Sequence, residues 1–421
     1  MSNLLIQLLI SVLFSSSFVF TSAIYYPPPL YGQTSTYIDS KLYIFGGTIL
    51  NINNSVTYNH EIFYLDLSSP FNTTSTYPWN NELTTLDISH IYASACVGGA
   101  LQDNIFVFEG MPEILQKPDG TIAPLIYKFD SQQKTIDQPQ LNVTVNILPP
   151  RRRSVQAICD SQGKMYIFDG IDDFTSNLKY IYSRMDIFNT IELLYGWSVG
   201  SVIQSGDARY GHSAVLLNND GRIVYIGGRL ISGDLLRMSD IYIYNTNLDQ
   251  WEYQNAGGNV PGPRESHSSV ITPDNRIIVY GGSQAVPQLA VLTVTNGNTF
   301  TWSTPEAANP IPELYSHSAN LINSYYMFVT FGYLDSTNRR NSDIYILDTS
   351  NPQSYSWITS FDPNNPPNST SSGPAVPTAD DLAIQSRKVW VIGSIIGSIS
   401  GFLLSVIIVL IVWIFKRKND K

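Results

Sequence analysis

The stretch that decides the fold begins Arg209-Tyr210-Gly211-His212-Ser213, continues through Arg222-Ile223-Val224-Tyr225-Ile226-Gly227-Gly228 and Asp240-Ile241-Tyr242-Ile243-Tyr244-Asn245, and ends at Trp251. The same order returns at once as Arg264-Glu265-Ser266-His267-Ser268, Arg276-Ile277-Ile278-Val279-Tyr280-Gly281-Gly282, Val291-Leu292-Thr293-Val294 and Trp302. Each apolar run is short and β-branched or alternating, which is how strands are written. Two adjacent copies of a four-strand unit make an internal repeat the first thing to test along the rest of the chain.

Extended outward, the template finds Leu42-Tyr43-Ile44-Phe45-Gly46-Gly47 with 62–66 and Trp79, then Ile105-Phe106-Val107-Phe108-Glu109-Gly110 with 126–130 and no tryptophan. It finds Met165-Tyr166-Ile167-Phe168-Asp169-Gly170 with 185–189 and Trp197, and Met327-Phe328-Val329-Thr330-Phe331-Gly332 with 343–348 and Trp357. Six copies result, near 31–88, 89–147, 148–206, 207–261, 262–311 and 312–361. The first glycine of the pair is lost in three of them, whereas the second survives in all. A residue at positive φ closing a strand has that signature, because only glycine adopts it cheaply.

These features resemble the kelch family: a double glycine closing the second strand, a tyrosine-containing third strand and a tryptophan in the fourth. The resemblance covers roughly 31–361 and implies an all-β, six-bladed kelch-type β-propeller, each blade packing its faces on its neighbours around a central channel. Residues 24–30 are a candidate for a closing strand, although the sequence does not place it.

Composition agrees with an all-β reading. Tyr (26), Phe (18), Gly (28) and Pro (24) are frequent, as suits many short strands broken by turns. The formal charge of −10, without clustered cations over a surface, argues against a nucleic-acid partner.

The two ends read as targeting. Residues 1–23 are uncharged with an apolar run and end in Thr21-Ser22-Ala23, the pattern of a cleaved signal peptide, an uncleaved anchor being the alternative. Residues 389–415 are an uncharged apolar stretch followed by Lys416-Arg417-Lys418, long enough for a membrane helix with its 416–421 tail in the cytoplasm. A lipid-anchor signal is the other reading of such a tail. Between propeller and helix, 362–388 is rich in Pro, Ser and Asn and reads as a stalk. The expectation is a single-pass type I protein with its propeller outside, by default at the plasma membrane. Asn53, Asn72, Asn142 and Asn368 stand in N-x-S/T acceptor triplets. Gly393, Gly397 and Gly401 recur every four residues, a face on which a second helix could pack laterally.

Kelch-type scaffolds include copper radical oxidases of the galactose oxidase type, so an enzymatic reading must be weighed on residues. His212, His267 and His317 stand at one repeat position, each before a serine, which reads as scaffold in which imidazoles bridge blades by hydrogen bonds. His60 and His90 lie elsewhere, and no histidine pair has ligand spacing. Cys96 and Cys159 are the only cysteines. Aligning Ser94 and Ser154 with His212 puts them at an odd offset, hence on opposite strand faces. Two buried free thiols are therefore expected, a disulfide being the alternative. Arg151-Arg152-Arg153 reads as a solvated loop end rather than an anion site. No catalytic residue, metal or cofactor is inferred. The expected function is a non-enzymatic binding or adhesion module taking an extracellular protein or glycan on the loops between second and third strands, with a surface oxidase or other carbohydrate-active enzyme as the alternative.

Overall fold

The structure is a computed structural model that describes residues 25–364 except 52, 109, 140–147, 177, 193–195, 219, 296–297 and 338. The segments read as signal peptide, membrane helix and tail, and all but the first three residues of the stalk, lie outside the described residues, as do Asn142, Asn368, Gly393, Gly397 and Gly401. Among the described residues there is no helix long and apolar enough to cross a membrane.

Six sheets with four antiparallel strands follow one another along the chain, each drawn from one continuous run, and those of blades 5 and 6 add a two-residue outer strand, Gly257–Gly258 and Ala307–Ala308, paired in parallel. Blade 1 uses Thr34–Ile38, Lys41–Phe45, Glu61–Asp66 and Trp79–Thr85; blade 2 uses Ser94–Gly98, Asn104–Phe108, Ile126–Asp130 and Thr135–Asp137. Blade 3 is Ala157–Cys159, Lys164–Phe168, Met185–Asn189 and Trp197–Gly200, and blade 4 is Ser213–Leu216, Arg222–Ile226, Asp240–Asn245 and Gln250–Asn255. Blade 5 comprises Ser268–Ile271, Arg276–Tyr280, Leu289–Thr295 and Thr299–Ser303, and blade 6 comprises Ser318–Ile322, Tyr326–Thr330, Ile344–Asp348 and Tyr355–Ile358. The six repeats read from the sequence are thus six blades.

The core is divided rather than central. Six apolar clusters each join two consecutive blades, including one that joins blade 6 to blade 1. A sheet that must bury both faces is apolar on successive residues of its inner strands, as in the fully buried Leu42, Tyr43, Ile44 and Phe45. The tryptophans tie these interfaces together, each reaching back to the preceding blade. Trp251 packs on Phe168 at 4.4 Å and Trp357 on Tyr280 at 4.9 Å between ring centroids. Trp197 meets Phe108 and Trp79 meets Phe331, while Trp302 donates its Nε1 hydrogen to the Met238 carbonyl at 2.8 Å.

The invariant second glycine has two reasons to be glycine. Gly47, Gly110, Gly170, Gly228, Gly282 and Gly332 all have positive φ, between 71° and 104°. A Cβ there would also strike the neighbouring first strand; at Gly110 it would lie 2.4 Å from the Ile91 carbonyl oxygen. The first position has positive φ too at Gly46, Gly227 and Gly281, yet Asp169 and Phe331 adopt it. Each substitute does a local job: the Asp169 carboxylate accepts from the Arg209 amide at 3.0 Å, and Phe331 fills the contact between blades 6 and 1.

Ring closure uses no exchanged strand. Leu30–Tyr31 pairs with Thr48–Ile49 of blade 1, and Leu30 donates its amide to Asn341 and accepts from Gly332, both of blade 6. Residues 24–30, the candidate closing strand, thus contribute a short bridging pair rather than a blade strand. At the outer rim Ser360–Phe361 pairs with Phe71–Asn72.

Cys96 and Cys159 form a disulfide, Cα to Cα 5.7 Å, which overturns the expectation of free thiols. The odd offset itself is real: counted back from Gly110 and Gly170, Cys96 pairs with Phe106 and Cys159 with Met165, one step apart. The inference from it was inverted. Neighbouring blades meet by opposite faces, so side chains one step out of register on adjacent first strands point towards each other.

Candidate interaction face and channel mouth

Strand direction fixes which loops share an end of the propeller. Each first strand runs from one end to the other, and the second returns, so the connections between second and third strands and those leading into the next blade lie together at the end where first strands begin. The incoming segment of every blade pairs there with the start of its own loop: Leu30–Tyr31 with Thr48–Ile49, His90–Ile91 with Met111–Pro112, Arg153 with Ile171, Tyr210 with Arg229, Glu265 with Ser283, and Leu314–Tyr315 with Tyr333–Leu334. The loops the sequence marks as variable therefore form one face around the channel.

At its mouth a recess of ≈ 260 Å³ is lined by Tyr31, Tyr92, Arg153, Tyr210, Glu265 and Tyr315 among others. Five of these stand at one repeat position, just before the positive-φ residue that opens the first strand, and Tyr92 is that positive-φ residue in its own blade. Tyr31 is the hub of an aromatic group, with ring centroids 5.5 Å from Tyr92, 6.3 Å from Tyr315 and 5.4 Å from Tyr333. The Tyr92 hydroxyl donates to that of Tyr31. Burial raises the Tyr92 phenol well above the usual range, reinforced by Tyr31, and pushes Tyr315 up to about 12. These phenols stay neutral donors at physiological pH.

The charges of the mouth are internally matched. Arg153 holds Asp173 through two bonds, Nε to Oδ1 at 2.8 Å and Nη2 to Oδ2 at 2.6 Å, and its guanidinium lies 4.9 Å over the Tyr92 ring. Burial pulls the Arg153 guanidinium down, but the bond to Asp173 more than offsets it and the net shift is upward. Arg229 pairs with Glu265 at 2.7 Å. The two-point Arg153–Asp173 pair orients its side chains as well as neutralising them.

The arginine run is accordingly not a solvated loop end. Arg152 is fully buried against Asp186 at 2.7 Å, Arg153 belongs to the mouth, and Arg151 donates to the Ala123 carbonyl. Arg152, Arg209 and Arg264 occupy one repeat position and are all fully buried, with Leu30, His90 and Leu314 taking it in the other blades. Arg264 has no carboxylate within reach and instead donates to the carbonyls of Gly281, Pro287 and Gln288; burial lowers it to about 10.

Below the mouth the channel is hydroxyl-lined, from Ser94, Ser268 and Ser318 among others. The repeat histidines face neighbours rather than form a ligand set. His267 of blade 5 meets the Ser213 hydroxyl of blade 4 at 2.9 Å, and His317 of blade 6 meets Ser268 of blade 5 at 2.7 Å. Gln33 takes the position in blade 1 and bonds Ser318 of blade 6. His212 lacks this bond, because blade 3 has Gln156 where blades 4 and 5 have the serines Ser213 and Ser268; it packs on Phe168 and Tyr225. Among the described residues, no three His, Cys, Asp or Glu side chains come together in a way that could hold a metal ion.

Of the acceptor asparagines, Asn53 lies exposed at the tip of blade 1's loop on the mouth face, and Asn72 lies at the opposite end, between the third and fourth strands of the same blade. Sequence reading missed the mouth tyrosines because tyrosine is common throughout. Their signal was positional: a tyrosine or charged residue just before the turn that opens the first strand in five of the six blades.

The family model described as the KLHDC2/KLHL20/DRC7 Kelch-repeats domain matches residues 93–286 and 211–394. The Rab9 effector protein with kelch motifs of Homo sapiens is 33% identical over 132 residues, 29% of this chain and 34% of that protein. Kelch domain-containing protein 1 of Mus musculus is 23% identical over 284 residues, 61% of this chain and 63% of that protein. The chain thus spans from about a third to just under two thirds of these relatives. The solved structure of YjhT superposes with a TM-score of 0.55 over 79% of this chain and 98% of that one, at 12% identity, a likeness of fold. With family matches over most of its length and six blades carrying the repeat, the chain belongs to the kelch-repeat family.

Proposed function

We propose that this protein is a non-enzymatic protein-binding module that displays its loop face outside the cytoplasm, held in a membrane, by default the plasma membrane, by residues 389–415. The observation that carries the reading is where large apolar side chains stand exposed. Among the described residues, Leu50, Val56, Ile114, Ile122, Leu178, Tyr180, Ile231 and Val286 stand exposed in loops between second and third strands, on five of the six blades, while others such as Leu101, Leu248 and Val199 are scattered over other loops and strands. Clustered exposure of this kind, around a polar and aromatic recess, is how a recognition surface differs from a merely soluble one.

Other features support the setting. A disulfide is stable chiefly in oxidising compartments, and the first 23 residues read as a signal peptide. Pro363, near the end of the described chain, accepts from Asn323 at 3.4 Å, and Asn323 lies in the turn between first and second strands, at the end opposite the loop face. The described chain thus ends on the side away from the loop face. The name of the human relative, an effector of Rab9, supports protein partners as a class for the scaffold.

The test is crosslinking mass spectrometry on the full-length protein in cells, with Leu178→Asp and Ile231→Asp together against the parent. Partners crosslinked to the parent are expected to be lost from the doubly substituted protein at equal abundance. An unchanged partner set would place recognition elsewhere.

A further inference from the structure

The acceptor triplets are unevenly spread. Asn53, Asn72 and Asn142 all precede residue 148, and none occurs from there to residue 361, although asparagine is frequent throughout. Blades 3 to 6 therefore carry no acceptor at all. Two of the acceptors are described, and both are arranged alike. Asn53 Oδ1 accepts from the Ser55 amide at 3.1 Å and the Ser55 hydroxyl at 2.7 Å. Asn72 Oδ1 accepts from the Thr74 amide at 2.8 Å and the Thr74 hydroxyl at 2.7 Å. In both, the carboxamide oxygen is occupied by the third residue of the triplet, and Nδ2 makes no hydrogen bond among the described residues.

From this geometry we infer that Asn53 and Asn72 carry N-linked oligosaccharides, and that the Asn53 glycan closes the blade 1 sector of the loop face, leaving the apolar loops of blades 2 to 5 open. The inference rests on the extracytoplasmic reading above. The modification needs a lipid-pyrophosphate oligosaccharide as donor: Nδ2 attacks the anomeric carbon, a carbon–nitrogen bond forms, the carbon–oxygen bond to pyrophosphate breaks, one amide proton is released and the lipid pyrophosphate leaves. No oxidation state changes. The folded chain accommodates the product, since both sites are at connections with Nδ2 unengaged.

Exposed apolar side chains stand on the rest of the loop face: Leu178, Val286, Ile122 and Ile231 are exposed to 78%, 71%, 62% and 59%, in blades 3, 5, 2 and 4. Leu50 and Val56 flank Asn53 on the same hairpin, so an oligosaccharide there stands over them. The glycan at Asn72 lies at the other end, beside its backbone partner Ser360, where it cannot obstruct the loop face.

The experiment expresses the full-length protein in a eukaryotic secretory cell line and treats it with peptide-N-glycosidase in heavy-oxygen water before mass spectrometry. Labelled aspartate at positions 53 and 72 is expected, each lost in Asn53→Gln and Asn72→Gln respectively. Hydroxyl-radical footprinting is expected to show labelling of Leu50 and Val56 rising on deglycosylation while Leu178, Ile231 and Val286 stay unchanged. Protease protection in sealed microsomes separates the two ways of failing. A protected but unlabelled propeller overturns this inference alone; an unprotected one overturns the extracytoplasmic reading together with it. Labelling at position 53 without any change at Leu50 and Val56 overturns the shielding.

Discussion

Removing the Cys96–Cys159 bond tests both the disulfide and the reason it forms. The bond closes a 63-residue loop, and in the chain-entropy model a loop of that length restricts the unfolded chain by about 4 kcal/mol at 25 °C. With about 2.1 cal/mol/K of unfolding entropy per residue over roughly 340 residues, that is a fall in Tm of about 6 °C. Substituting both cysteines by alanine adds little cavity cost, because neither side chain is fully buried. The assay is calorimetry of the full-length protein against Cys96→Ala/Cys159→Ala, together with thiol titration of the denatured, unreduced parent. Expected are no titratable thiols in the parent and a drop of several degrees in the double variant. Two free thiols, or a Tm unmoved by both substitution and reduction, would refute the face-to-face argument that pairs residues one step out of register on adjacent blades.

Three further outcomes follow from the packing. His90, His212 and His317 are lowered by burial to about 4, 3 and 3, below the unfolded value of about 6.5. The unfolded chain therefore takes up protons first, and the stability these groups contribute is complete above about pH 6.5 and lost as pH falls below it. His317→Gln, which installs the side chain blade 1 uses at Gln33, should flatten the denaturation slope between pH 6 and 4.5 by up to about 1.4 kcal/mol per pH unit; an unchanged slope would mean His317 titrates normally. Gly282→Ala should cost clearly more than Gly233→Ala in urea unfolding. Both have positive φ, worth about 1 kcal/mol or more, but a Cβ at Gly282 would lie 2.8 Å from the Glu265 carbonyl oxygen whereas Gly233 faces open space. Arg152→Met should lose about 3 kcal/mol by leaving Asp186 buried with only Arg184 beside it, and Arg152→Met/Asp186→Leu should recover part of that loss.

The blades were legible because the repeat writes the same physical requirement six times. A glycine at positive φ and an inner strand apolar on successive residues survive as letters in all six copies, and a tryptophan reaching back one blade in five. The disulfide was misread because strand parity was judged within a single sheet, while the relation that matters is between facing sheets. His267 with Ser213 and His317 with Ser268 obey the same one-step rule, so the pairing was readable once blades were considered in pairs. Arg152 and Arg153 were misread for a different reason: adjacent residues of one charge can point to unlike surroundings, and only the partners, Asp186 and Asp173, twenty or more positions away, decide which is buried. Phe331 looked like decay of a glycine pair, yet it fills the one interface where the two ends of the ring meet.

That interface gives the ring a mechanical direction. The chain leaves through Ser360–Phe361 directly after Tyr355–Ile358, the outermost long strand of blade 6. A pull at Asp362 first parts the two-residue contact with Phe71–Asn72, then lifts that strand from the sheet, breaking its pairs with Ile344–Asp348 on one side and with Ala307–Ala308 on the other. Strands loaded in this way unzip rather than shear, so under a load carried through Asp362 the propeller's weakest line lies not at its loop face but at the last strand of its last blade.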